Sequence, residues 1–95
     1  MPAFHSAELS FDGLQLSYQF KLWNLASKPH LLIKQDSDIL PWLNEGDVRA
    51  IKYYSSDSSS PPTCLDTQIS DITKDEAGRF KGHYLVSLEI LDSHA

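Results

Sequence analysis

The chain has 95 residues and a formal net charge of −5, from eight Lys and Arg against thirteen Asp and Glu. Hydrophobic residues make up 41% and charged residues 22%; that is enough apolar content for one small folded domain, and too acidic a balance for a general DNA or RNA binder, which neutralises phosphates with a basic patch. Cys64 is the single cysteine, which excludes an intrachain disulfide and a Cys-based zinc knuckle and points to a reducing cytoplasm.

The N-terminus, "MPAFHSAELSF", has neither a positive n-region nor a long apolar h-region. It does not read as a signal peptide, and no run in the chain approaches the roughly 18 apolar residues of a membrane span. Residues 1–10 and 92–95 are expected to fray. After the turn signal "DG" at 12–13, "LQLSYQF" alternates, with Leu14, Leu16, Tyr18 and Phe20 on one face and Gln15, Ser17 and Gln19 on the other. That period-2 pattern predicts a strand with one buried side.

"HLLIKQ" at 30–35 predicts a second strand, opened by Pro29, which cannot donate to a ladder. "DVRAIKYY" at 47–54 follows Gly46 and is rich in β-formers, a third strand. "TCLDTQISDIT" at 63–73 is a fourth; its apolar phase slips between Ile69 and Ile72, which calls for a bulge near Ser70–Asp71. "RFKGHYLVSLEIL" at 79–91 is a fifth, with Tyr84, Val86, Leu88 and Ile90 on one face. The connection "SSDSSSPP" at 55–62 reads as a flexible hairpin tip, and "ILPWLNEG" has room for one helical turn at most. The expectation is an all-β fold, one domain over residues 1–95, with short antiparallel strands closing into a barrel to hide the edges.

Motifs for catalysis and metal binding are weak. "KQDSDILPWLNEGD" at 34–47 is dense in acids and starts like a calcium loop at Asp36 and Asp38. Leu40 and Pro41 then stand where an oxygen ligand and a glycine belong, so the metal reading fails on spacing. His5, His30, His83 and His94 are too far apart for a zinc motif, and His83 is expected outward or at a rim. The serines concentrate in the 55–62 loop, and Cys64 at a strand's start is expected to be a small buried residue. No glycine-rich phosphate loop exists. These readings predict no enzyme, no cofactor and no metal site.

The aromatics carry more. Trp23 and Trp42 fall in connecting segments, and one of the adjacent Tyr53 and Tyr54 must point outward from its strand. These four are the candidate partner-binding residues, because exposed Trp and Tyr anchor protein interfaces. The competing role for the two tryptophans is to plug the barrel's open ends.

The order of these features resembles one family. "WLNEGDVRAIKYY" looks like the "l-x-x-G-D-x-V-x-l-x-f" stretch of PilZ domains, "GRFKGHYLVSLEIL" is similar to their closing strand with Ser87 where glycine is usual, and "HLLIKQDSDIL" takes the place of the strand carrying D/N-x-S-x-x-G. The resemblance spans roughly residues 14–91. It implies a small six-stranded antiparallel β-barrel from the bacterial cyclic di-GMP signalling world. Typical members hold that ligand with an R-x-x-x-R pair before the first strand and with the second motif. Guanidinium groups fork onto phosphates and stack on guanine.

Residues 1–20 contain no Arg or Lys, so the arginine pair has no counterpart. In the second motif Ser37 matches, while Gln35 stands where Asp or Asn belongs and Leu40 where glycine belongs. Losing two bidentate cation–phosphate contacts costs on the order of several kcal/mol, enough to remove micromolar binding. The expectation is a non-catalytic, PilZ-like signalling or adaptor domain that acts in the cytoplasm through a protein partner or self-association. It would not bind cyclic di-GMP in the typical manner. Two alternatives stand beside it: a cyclic di-GMP receptor with a divergent site recruiting Lys21, Lys28 or Arg49, and an unrelated small β-barrel enzyme.

Overall fold

The structure, a computed structural model, describes residues 4–11, 16–25, 28–57 and 59–91. Its strands are β1 (Phe4–Phe11), β2 (Leu16–Lys21), β3 (Trp23–Leu25), β4 (Lys28–Lys34), β5 (Val48–Ser55), β6 (Thr63–Lys74) and β7 (His83–Ile90), with one short 3-10 turn at Leu40–Trp42. All pairings are antiparallel, in the order β2-β1-β5-β6-β7-β4-β3. The sheet rolls into a nearly closed all-β barrel.

Among the described residues seven strands replace the six expected, and the reason is local. β2 and β3 are halves of one stretch, separated by Leu22 alone. The first half pairs with β1, with Lys21 opposite Ser6; the second turns to β4, with Trp23 opposite His30. Leu22 is buried at the bend and donates its N–H to the His5 carbonyl at 3.0 Å. One bent stretch therefore bridges the two ends of the sheet, which is how a short chain hides most of its edges. Trp23 lies on this bent stretch and not in a connection.

The expectation that residues 1–10 fray is overturned for 4–10, which belong to β1, between β2 and β5. The alternation that makes it a strand is in "FHSAELSF": Ala7, Leu9 and Phe11 are buried, while Glu8 and Ser10 face out. The last strand starts at His83, four residues later than expected, because 79–82 complete the turn that precedes it. His83 is half-buried at the strand's first position, opposite Lys34. The bulge falls as the phase slip requires: the β6–β7 register shifts between Ile69 and Asp71, leaving Ser70 as the extra residue. Leu14 and Gln15 lie outside the described residues.

The core is made of inward residues from every long strand, among them Leu9, Leu31, Ile33, Ile51, Tyr53, Ile69, Val86 and Leu88, each at most 2% exposed. Full burial of such a side chain contributes about 1.5–3 kcal/mol. Tyr53 is inside the barrel, its hydroxyl 2.7 Å from the Thr67 hydroxyl, so it leaves the set of partner-binding candidates. The outward member of the pair is Tyr54. Cys64, expected buried, is exposed; it stands opposite Lys52 on the outer face of β6.

The segment from Gln35 to Asp47 crosses from β4 to β5, which are separated in the sheet by β7 and β6. Ile39 and Leu43 insert from it into the core. These two aliphatic residues do the plugging assigned to tryptophan, and Trp42, between them in the helical turn, is 42% exposed. The acids have solvated or structural roles. Asp36 and Asp38 are exposed, and the Glu45 carboxylate accepts the Ile72 N–H at 2.8 Å, satisfying a β6 donor just past the bulge.

Candidate functional site

Three surface groupings emerge. The first surrounds Trp42. Arg49 donates from its guanidinium to the Trp42 carbonyl at 3.0 Å, lies 4.8 Å over the Phe11 ring, and is 3.9 Å from the Asp47 carboxylate. The Trp42 ring is 6.3 Å from the same Phe11 ring. The indole is thus presented to solvent on a fixed base. The residues of the degraded motif do not form a common pocket here. The Ser37 hydroxyl accepts the Ile39 N–H within its own turn, Leu40 packs on the core, and exposed Gln35 borders a hollow of about 160 Å³ beside Lys74, Asp75 and Lys81.

The second grouping is polar and lies on the outer face of β2, β1 and β5. The Tyr54 hydroxyl donates to the Glu8 carboxylate, and the Gln19 amide donates to Ser6 at 3.0 Å. The Tyr54 bond holds Glu8 below the usual carboxylate range, and the same bond raises Tyr54. Beside them a groove of about 510 Å³ runs between Ser6, Gln19 and Tyr54 on one side and Ser60 and Pro62 on the other. The serine segment has an organised turn: the Asp57 carboxylate accepts the Ser59 N–H and hydroxyl at 3.0 and 2.7 Å and the Ser60 hydroxyl at 3.2 Å.

The third grouping joins residues 57 positions apart (Trp23 to Phe80). The Phe80 ring meets the Trp23 ring edge-on at 5.0 Å. Lys21 Nζ lies 4.6 Å from the Trp23 ring centre; the Arg79 guanidinium is 5.3 Å from Trp23 and 5.1 Å from Phe80. Lys21 and Trp23 share a face because strand side chains alternate and only Leu22 separates them. Phe80 is delivered by the β6–β7 turn, which is built on Asp75. The Asp75 carboxylate accepts the N–H groups of Gly78 at 2.8 Å and Phe80 at 2.9 Å, and Gly82, at φ 87°, closes the turn onto the Asp75 carbonyl at 2.9 Å.

Those backbone donors hold Asp75 below its ordinary value. A lowered folded pKa means a stabilisation that is complete above the ordinary carboxylate pKa of about 3.9 and is lost as pH falls through the folded value. Asp75→Asn should therefore be less stable than wild type at pH 6, and the gap in denaturant midpoint should close as pH falls below about 4. A gap that widened on acidification would refute this role for the carboxylate.

One pair escaped sequence reasoning, which looked for serines only in the loop. His30 Nε2 is 3.1 Å from the Ser87 hydroxyl, and His30 Nδ1 is 2.9 Å from the Lys28 carbonyl. His30 and Ser87 are directly opposite in the β4–β7 ladder, so register alone brings them together, as for other cross-strand pairs. Among the described residues no three His, Cys, Asp or Glu gather as a metal-binding group, and no helix is long and apolar enough to cross a membrane. No family model matches the chain, and neither a curated protein nor a solved structure matches it.

Proposed function

We propose that this domain is a non-catalytic, PilZ-like signalling or adaptor module of the cytoplasm that works by docking a protein partner, and that it does not take cyclic di-GMP in the typical manner. The observation that supports this reading is the presentation of both tryptophans on the outside of the barrel, each beside an arginine: Arg49 at the Trp42 carbonyl and Arg79 over the Trp23 ring. Tryptophan, tyrosine and arginine are the residue types that dominate interface energies, and a rigid base lowers the ordering cost of binding. The barrel supplies that base.

The receptor alternative needs its cations at one shared mouth. Lys21 and Arg49 instead engage different aromatic groups, Trp23 and Phe11. Titrating the purified domain with cyclic di-GMP in a calorimeter should give no saturable heat. A Kd tighter than about 10 μM, roughly −7 kcal/mol, would overturn the adaptor reading.

A further inference from the structure

The Lys21–Trp23–Arg79–Phe80 cluster, we infer, is the docking surface for an acidic segment of a partner protein, an assignment that rests on the adaptor reading and gives it a chemistry. The chain is acidic, at −5, yet here two cations converge on two aromatic rings. Among the described residues the one ion pair within 4.0 Å is Arg49 with Asp47. Lys21 and Arg79 are both exposed, and within that set neither forms an ion pair within 4.0 Å; the nearby Asp75 carboxylate is taken up by the N–H groups of Gly78 and Phe80.

Stacking uses the face of a guanidinium and leaves its in-plane N–H groups free, in the fork that matches a carboxylate. The rings also fix the positions of both cations in advance, which lowers the ordering cost of a contact. Trp23 and Phe80 are half-buried and offer apolar surface between the charges. The complement is an extended segment in which carboxylates alternate with apolar or aromatic side chains.

Other occupants fit less well. A phosphate group would also meet the Arg79 guanidinium, but the backbone N–H donors of the adjoining turn that would complete a phosphate cradle, at Gly78 and Phe80, are already bound to Asp75. A second copy would bring its own charge of −5 against the same charge. A short acidic segment meets mainly the local patch, because charges beyond about 8 Å are screened at physiological salt.

The test follows backbone and indole N–H resonances of the labelled chain at physiological salt. Three probes are used: an octapeptide alternating Glu and Phe, its Lys and Phe counterpart, and inorganic pyrophosphate. The Glu–Phe peptide should saturate the shift of the Trp23 indole, and the other two should not. Combined Lys21→Glu and Arg79→Glu should weaken that peptide at least about tenfold, Arg79→Lys should weaken it less, and Lys74→Glu, an exposed change outside the cluster, should leave it within about twofold. Four results would overturn the assignment: no saturable shift at about 1 mM peptide, indifference to the charge reversals, pyrophosphate saturating the same resonances, or concentration-dependent self-association abolished by the double variant. Each of these leaves the adaptor reading standing, since that reading falls on saturable cyclic di-GMP binding.

Discussion

Ile39→Ala should lower the unfolding free energy by about 2–5 kcal/mol, while Trp42→Ala, three residues on, should cost less than about 1.5 kcal/mol. Ile39 is 0% exposed and reaches the core from the crossover, so its truncation leaves a cavity under a segment anchored at Gly46 and Glu45 to β6. A cavity in that position collapses poorly, because those main-chain contacts hold the segment in place. Trp42 is 42% exposed, and the bond from Arg49 goes to its backbone carbonyl, which alanine keeps. What Trp42→Ala removes is the contact with Phe11. Urea unfolding of both variants, read at unchanged m-value, gives the comparison. If Trp42→Ala proved the more damaging, the plug would be the tryptophan after all.

Leu88→Ala should cost a similar amount, about 2–5 kcal/mol. Leu88 is 1% exposed and stands opposite Ile69, the last β6 residue before the register shift. Its strand, β7, lies between β6 and β4, so the loss is felt by both neighbours. For a domain of this length the whole stability is on the order of 5–14 kcal/mol, and one such change removes a large part of it. A denaturant midpoint equal to wild type would place the inner face of β7 elsewhere.

The regular parts of the barrel were legible wherever hydrophobic parity was clean. Tyr18 and Phe20, Leu31 and Ile33, Ile51 and Tyr53, and Val86 and Leu88 all face the core as alternation requires. Even the Ser70 bulge was readable, because an extra residue shifts apolar phase and leaves a trace in composition. β1 was missed although its alternation is present, since Ala7 is a small inward residue and the strand sits at a terminus, where fraying is the ordinary expectation. The bend at Leu22 had no local signal: no glycine or proline marks it, and it exists because the barrel must close. The tryptophan plug was mistaken for a related reason. Sequence shows which residues are large, but the crossover's path decided that Ile39 and Leu43 point in.

The candidate surface was legible only in fragments. Trp23 was singled out, while Arg79 and Phe80 read only as the start of a strand. Nothing in spacing joins them to each other. Their meeting depends on the bent strand at one side and on the Asp75 turn at the other, and both are products of the folded sheet.

Leu22 also acts as a frame marker. Because side chains alternate across a strand, the single residue between β2 and β3 keeps Lys21 and Trp23 in the same reading phase. Adding or deleting one residue there would put Trp23 in the opposite phase and part the indole from the face that carries Lys21. Composition and net charge would hardly change. The aromatic–cationic surface would vanish all the same, so length at this one position is as much a determinant of it as the identity of the tryptophan.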